Sequence, residues 1–197
     1  QRQMCIRDRN STADIIVIIY LLTIPAVMLV VGGSSSSSPL AGIGASREVV
    51  TMLAYELPMV MSILAVCKKA GAFMGTNVSF SLLGIQGFQV ADGMGLFHIT
   101  LIPAAIAFLM VIPAEVGVVP FDMAEAETEI CEGPLVEYSG LYLALYKLTS
   151  QIKAFIMSGL FVALFLGGKG IGVTGNATLN IILNIILFLI LTLVVMF

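Results

Sequence analysis

Charged residues are scarce in this 197-residue sequence: they make up 11% of it, whereas hydrophobic residues make up 59%. Soluble domains carry about a quarter charged residues, so this chain has too few to build a water-exposed surface. The formal net charge is −3, and no basic cluster follows the first nine residues. Intrinsic disorder and nucleic-acid binding are therefore excluded as classes for this protein.

Cysteine and histidine are also scarce in this sequence. The three cysteines, Cys5, Cys67 and Cys131, stand far apart, and His98 is the single histidine. The sequence has no CxxC pair, no Cys/His cluster and no HExxH motif, so a disulfide scaffold is excluded and no metal or iron–sulfur site is predicted. His98 lies in an apolar run, where a histidine is more often a packing residue than a titrating one.

Long apolar runs dominate the rest of the chain. Because a helix rises 1.5 Å per residue, about 20 apolar residues cross the roughly 30 Å hydrocarbon layer of a bilayer. The sequence therefore predicts an all-α, multi-pass protein of the cell (plasma or inner) membrane with about five transmembrane helices. The predicted spans are 15–33, 48–67, 96–114, 148–166 and 178–197.

Small and polar residues separate the runs. We expect 34–46 to be a loop, because it holds five serines followed by PLAGIGAS. Residues 70–95 are glycine-rich and predict a second loop with a short surface helix. Residues 1–9, QRQMCIRDR, resemble a translated sequencing adapter and are expected to be a non-native stub, which leaves 10–197 as the membrane domain.

Glu56 lies near the middle of the second predicted span. An acidic group at that depth costs about 2.5 to 3.5 kcal/mol, which favours a functional role, although a protonated packing residue remains the alternative. Pro58 has no N–H and so leaves a nearby carbonyl without its helical donor, which predicts a polar kink beside the acid. Tyr55 and Arg47 lie on the same helix toward one membrane face, where Arg47 with Glu48 could equally be an interfacial anchor.

Residues 115–137 hold seven acidic residues and no basic one, and the part of this stretch from 118 to 137 is called the acidic segment here. Asp122 with Glu125 resembles a capping box and Gly133 with Pro134 supplies a stop, so a helix of about ten residues is predicted. A solvated acidic loop is the alternative, but apolar residues interleave with the acids and favour an enclosed helix. One face of that helix would carry Asp122, Glu125, Glu129 and Glu132, with Glu127 on the other side.

Further groups flank this segment. Glu115 lies at the end of the third span, and Glu137 with Tyr138 follows the glycine–proline turn, so all three would join a proton path if the segment folds back toward the membrane. Lys147 is the nearest basic partner in sequence, and Lys153 follows it. A desolvated lysine can itself hold or release a proton.

Two motifs resemble a known family. Pro120-Phe121-Asp122, AEAETE and VEYSG resemble the loop of the membrane subunit that docks the peripheral arm in respiratory complex I and in energy-converting NiFe hydrogenases. GASREVVTMLAYE, residues 44–56, is similar to that family's helix with a buried glutamate. The resemblance covers about 15–197 and implies a fragment of an eight-helix fold. It also implies a cytoplasmic loop, 115–147, although Lys68 and Lys69 would favour the opposite orientation by charge alone.

The resemblance also implies a function. The chain would hold no cofactor, while a NiFe centre and iron–sulfur clusters would belong to partner subunits. The partners would be peripheral-arm subunits at the acidic segment, antiporter-like membrane subunits and the lipid bilayer, with no nucleic acid. The buried carboxylates would couple electron transfer to proton or sodium translocation.

Two departures favour the hydrogenase branch. Val118 stands where complex I members carry an arginine, and Ser150 stands where they carry a glutamate. The alternative is a quinone-site subunit of complex I or of a coenzyme-F420 dehydrogenase. A stand-alone transporter is a remote alternative, since it would need an internal inverted repeat.

Overall fold

The computed structural model describes residues 14–73, 75, 77–92, 98–118, 121–124, 126–131, 133–167 and 177–196. Within those ranges helices are the only regular secondary structure, as predicted, and turns or irregular residues connect them. The prediction that 1–9 are a non-native stub lies outside the described residues. The α-helices are α1 (Asp14–Ser35), α2 (Pro39–Phe73), α3 (Leu82–Asp92), α4 (Ile102–Val116), α5 (Glu127–Ile130), α6 (Leu141–Phe161) and α7 (Ala177–Met196).

Each of the five predicted spans falls on a helix. Three helical stretches are long and apolar enough to cross a membrane: Ile15–Ser35, Pro39–Phe73 and Leu141–Leu166. The helices Ile102–Val116 and Asn184–Val195 are apolar but shorter over the described residues. Exposed isoleucine, leucine and valine side chains cover their outer faces, as a bilayer requires. The chain is therefore an all-α, multi-pass membrane protein.

The third span starts later than predicted. Residues 98–101 form a bend and turn, and α4 begins at Ile102 with Pro103 in its first turn. Proline suits that position because the first helical N–H groups have no partner inside the helix. At the other end, Gly117 caps α4 with a left-handed backbone at φ 74°. Glu115 therefore lies inside the last turn of the helix rather than beyond it.

The expected loop at 34–46 is wrong for most of its length. Only residues 36–38 are non-helical. The helix α2 then begins at Pro39 and has 35 residues. The small side chains that resemble a loop in the sequence are instead packing positions, because Ala41, Gly44 and Ala45 are buried. Small residues let helix backbones approach closely inside membranes.

The loop predicted at 70–95 is also partly wrong. Its helix, α3, is not a surface helix, because Gly84, Ile85, Phe88 and Gln89 are buried within the bundle. Phe88 joins the core formed by α2, α4 and α6. The largest fully buried side chains of that core include Phe88, Phe108, Phe165, Met59, Ile63 and Met157.

The ten-residue acidic helix does not form. The helix α5 has four residues, begins after Ala126 without a side-chain cap, and ends at Ile130, after which Cys131 has φ 50°. The backbone of Gly133, at φ 49°, packs directly against the carbonyl of Ala124. A straight helix would hold those two residues about 13 Å apart, so this contact excludes it. Ala124 and Gly133 instead lie in contact on either side of the four-residue α5, and a 3₁₀ turn begins at Gly133 and ends at Leu135.

Candidate functional site

A buried ion pair joins α4 to α6. Nζ of Lys153 lies 2.8 Å from Oε1 of Glu115, and the two side chains are 8% and 3% exposed. No described residue donates a hydrogen bond to the second carboxylate oxygen, Oε2. Because burying opposite charges is tolerated only when they are paired, this contact fixes how the two helices face each other.

A polar cavity of about 50 Å³ adjoins the pair. It lies between α1, α2, α4 and α6, and Phe121, Asp122 and Ala124 of the acidic segment also line it. That volume is room for roughly three water-sized occupants. The charged residues that line it are Glu48, Glu115, Asp122 and Lys153, and the hydroxyl-bearing ones are Thr51, Tyr146, Thr149 and Ser150. Residues of the acidic segment and both members of the ion pair thus line one cavity.

Tyr55 of α2 lies beside the Lys153 end of the pair. Its side chain is 7% exposed, and its ring centroid is 5.8 Å from Nζ of Lys153, within the range of a cation–π contact. No described residue hydrogen-bonds its buried hydroxyl. Glu48, Glu56 and Glu115 all lie within electrostatic range of Tyr55. Tyr55 therefore lies within electrostatic range both of Glu115, which lines the polar cavity, and of Glu56.

Glu56 itself faces elsewhere. It lines a separate cavity of about 340 Å³, formed mainly by isoleucine side chains of α1 together with Tyr20 and Phe80. Helix geometry explains the difference: Glu48 and Tyr55 are seven residues apart and point the same way, whereas Glu48 and Glu56 diverge by about 80°. The acidic residue of α2 that lines one cavity with the Glu115–Lys153 pair is thus Glu48. Pro58 lies within α2, and its carbonyl accepts a hydrogen bond from Ser62 at 2.8 Å.

The acidic segment is fastened to the helix bundle rather than free in solution. Nη1 of Arg47 lies 2.7 Å from Oε2 of Glu129, and it also donates to the carbonyl of Met123 at 3.4 Å. Pro134 is buried against Gly33 and Gly44, where no side chain would fit.

A tyrosine pair completes this attachment. The hydroxyl of Tyr138 donates to the carbonyl of Gly32 at 3.1 Å, and its ring lies 5.3 Å from that of Tyr146, which lines the cavity. The segment therefore folds back onto α1 and α2.

The other predicted site residues are spread more widely. Glu129 and Glu137 are exposed, and Lys147 is exposed on α6 away from the cavity lining. Glu125 and Glu132 lie outside the described residues, as does the side chain of Glu127. His98 lies 3.4 Å from Asp92 and stacks near Phe88, remote from the ion pair.

Lys153 and Glu48 belong to the site, although the sequence pattern did not single them out as site residues. Lys153 lies in a predicted span, so the criterion that selected Glu56 also applies to it: an intramembrane charge needs a partner. Glu48 was identifiable only through its seven-residue spacing from Tyr55. Among the described residues, no three of His, Cys, Asp and Glu are placed to hold a metal ion.

Comparisons with known proteins agree with this architecture. The family model described as NADH dehydrogenase matches residues 4–197. Hydrogenase-4 component C of Escherichia coli K12 is 37% identical over 78% of this chain and 46% of its own length. An NADH-quinone oxidoreductase subunit of Acidovorax sp. JS42 is 32% identical over 81% of this chain and 45% of its own length.

A solved structure is also similar. A chain of the membrane-bound sulfane sulfur reductase, an archaeal respiratory membrane complex, superposes with a TM-score of 0.72 and 32% identity. The match covers 93% of this chain and 58% of that chain. The chain spans about half the length of the curated relatives it matches. On the family match, the chain belongs to the NADH dehydrogenase family.

Proposed function

We propose that this chain is the membrane subunit of a complex I-like, energy-converting hydrogenase, and that it couples electron transfer in a peripheral arm to proton or sodium movement. The observation that carries the proposal is the Glu115–Lys153 pair, buried in the bundle yet joined to the acidic segment by the polar cavity. The relative named hydrogenase-4 component C supports the hydrogenase branch. Val118 and Ser150, which depart from the complex I pattern, support it as well.

The proposed route begins at the acidic segment, where Glu125, Glu127, Glu129, Glu132 and Glu137 would form the face toward the peripheral arm. From Asp122 it enters the polar cavity. There Oε2 of Glu115, which accepts no bond from a described residue, is the acceptor for an incoming proton. Lys147, exposed on α6, would balance charge at the entrance.

Protonation of Glu115 would neutralise the carboxylate and release the Lys153 ammonium from its partner. The ammonium would then turn toward Glu48, which already lies within its electrostatic range. The hydroxyl of Tyr55 can pass a proton on toward Glu56, because a hydroxyl both donates and accepts. In this scheme a change of charge at the acidic segment alters how strongly the pair holds its proton.

The proposed partners follow from the same scheme. Peripheral-arm subunits carrying a NiFe centre and iron–sulfur clusters would dock at the acidic segment, which exposes Phe121 and Met123 beside its acids. Antiporter-like membrane subunits would cover the bundle on the side of Glu56. The chain would take part in an oxidoreductase as a subunit without a redox centre.

The test is a comparison of electron transfer and ion pumping in the same complex. The single variant Glu115→Gln strands a buried ammonium and costs about 3 to 5 kcal/mol, so the double variant Glu115→Gln/Lys153→Met is preferable because it removes both charges. We expect this double variant to retain hydrogen formation in detergent but to lose the ion gradient in sealed vesicles.

Asp92→Asn is the matched control, since it removes a charge remote from the polar cavity and should preserve the gradient. An undiminished gradient in the double variant would remove the pair from the mechanism and overturn the proposal.

A second candidate is a quinone-site subunit, and one observation favours it. An apolar cavity of about 300 Å³ lies between α1 and α6, and Lys153 forms part of its wall. A hydrophobic ring compound could occupy it with a polar group near the ammonium. Competition by a short-chain quinone for a hydrophobic probe in the purified complex, abolished by Ile152→Trp, would favour this candidate over the first.

A further inference from the structure

Gln89 is a fully buried amide outside the proposed ion route. It lies on α3 with 1% exposure, and its Nε2 donates to the carbonyls of Leu164 at 2.6 Å and Ala163 at 3.2 Å. These two carbonyls belong to the helix that carries Lys153. A side chain that crosses between elements to bind main-chain carbonyls in the core needs a physical reason.

The reason is the backbone of α6 at its carboxyl-terminal end. Residues Val162–Leu166 continue α6 as a π-helix. Ala163 and Leu164 lie in the last turn of this helix, which ends at Leu166, and the final four carbonyls of a helix have no donor within it. Gln89 supplies those donors inside the core, where an unsatisfied carbonyl would be costly.

Gly167, the residue after the π turn, is packed closely against Gln89. A Cβ atom at Gly167 would overlap Oε1 of Gln89, and it would also lie 2.9 Å from the carbonyl of Ala163. The φ of Gly167 is −55°, which any residue can adopt. Its lack of a side chain therefore serves the close approach of Gln89 rather than a special backbone conformation.

The π turn changes which face of the helix its later residues occupy. From Lys153 to Phe165 an unbroken α-helix would accumulate a net rotation of about 120°. Because a π turn rotates by only roughly 80° per residue, the four steps from Phe161 to Phe165 reduce that angle to about 40°. Lys153 and Phe165 can then both face α4.

The contacts agree with that arithmetic. The ring of Phe108 on α4 lies 6.0 Å from Phe161 and 6.1 Å from Phe165, while Glu115 on the same helix holds Lys153. Phe108 and Glu115 are seven residues apart and so share one face of α4. One interface therefore carries both the aromatic cluster and the ion pair.

We infer that Gln89 is a positioning residue for the Glu115–Lys153 pair: it holds the π turn that lets the aromatic cluster and the ion pair form on the same α4–α6 interface. The inference rests on the proposed function only for its consequence in ion movement, since the geometry it describes is present without turnover.

The experiment is a double-mutant cycle on thermal unfolding of the purified complex in detergent. Gln89→Leu is measured alone and in the Glu115→Gln/Lys153→Met background. Distant, independent sites give additive losses of Tm. We expect the loss caused by Gln89→Leu to fall by about half when the ion pair is absent, because the variant then no longer misaligns the pair.

Ile85→Ala is the control, because Ile85 is equally buried on α3 but has no polar group to donate to the carbonyls of the π turn. Its Tm loss should be the same in both backgrounds. If Gln89→Leu does not fold, Gly167→Ala replaces it, since the added methyl displaces Gln89 without removing it. Additive losses for the variant used would overturn the inference, whereas coupled losses with unchanged ion pumping would overturn the proposed function alone.

Discussion

Arg47 and Glu129 form an ion pair across 82 positions of sequence, with Nη1 and Oε2 2.7 Å apart. The pair ties the four-residue helix of the acidic segment to the long helix α2. Since the same guanidinium also donates to the carbonyl of Met123, one side chain holds two points of the segment. The arginine that the sequence left open as an interfacial anchor thus attaches the acidic segment to the membrane bundle.

Replacing Arg47 by alanine should loosen the acidic segment without unfolding the bundle. The pair is largely exposed, 35% and 62% for the two side chains, so its contribution is at most about 1 kcal/mol. We expect amide hydrogen exchange in residues 126–131 to rise by up to about fivefold. Lys68→Ala, an exposed charge removed from the other end of α2, should leave that exchange unchanged. The attachment would be disproved if both variants gave the same exchange.

Gly44 and Gly42 make a matched pair on α2. A Cβ at Gly44 would lie 2.6 Å from Cδ of Pro134, whereas a Cβ at Gly42 meets nothing within 4 Å. Gly44→Ala should therefore push the 3₁₀ turn away from the bundle and cost about 1 to 3 kcal/mol. Gly42→Ala should instead stabilise the helix by up to about 1 kcal/mol. Thermal unfolding of both variants checks the difference, and similar Tm values would contradict the docking described.

Glu48 and Glu137 should differ in their effect on coupling. Glu48 lines the polar cavity beside Lys153, whereas Glu137 is exposed past the turn. We expect Glu48→Gln to lower the ion gradient per electron transferred more than Glu137→Gln does, because only Glu48 lies in the buried part of the proposed route. The measurement is the ratio of the rate of ion transport to the rate of electron transfer in sealed vesicles. A larger effect at Glu137 would place the route on the surface of the segment.

The apolar runs predict the helices well because membrane insertion depends on length and hydropathy, both of which are local properties. Local patterns fail where small residues pack. The stretch around Gly44 resembles a loop because its residues are small. It is a helix, and the small residues leave a flat surface on it against which Pro134 packs. The capping pattern at Asp122 fails for a related reason: the contact between Gly133 and Ala124 folds the segment back on itself.

The sequence predicts which types of side chain form the site but not which individual residues meet there. The sequence predicts buried carboxylates with a basic partner and gives Lys147 as the nearest one, whereas in the structure Glu115 pairs with Lys153. Which residues meet depends on the rotation of each helix, which packing sets. Glu48 rather than Glu56 therefore lies beside the pair, and Gln89, which carries no charge, gave no signal in the sequence.

The most direct test of the account is the infrared difference spectrum of the complex between its oxidised and reduced states, because it detects carboxyl groups that gain or lose a proton. We predict a carboxyl band that appears on reduction, is absent in Glu115→Gln/Lys153→Met and persists in Asp92→Asn. The same band at full amplitude in the double variant would show that Glu115 does not change protonation with electron transfer, and would contradict the central claim.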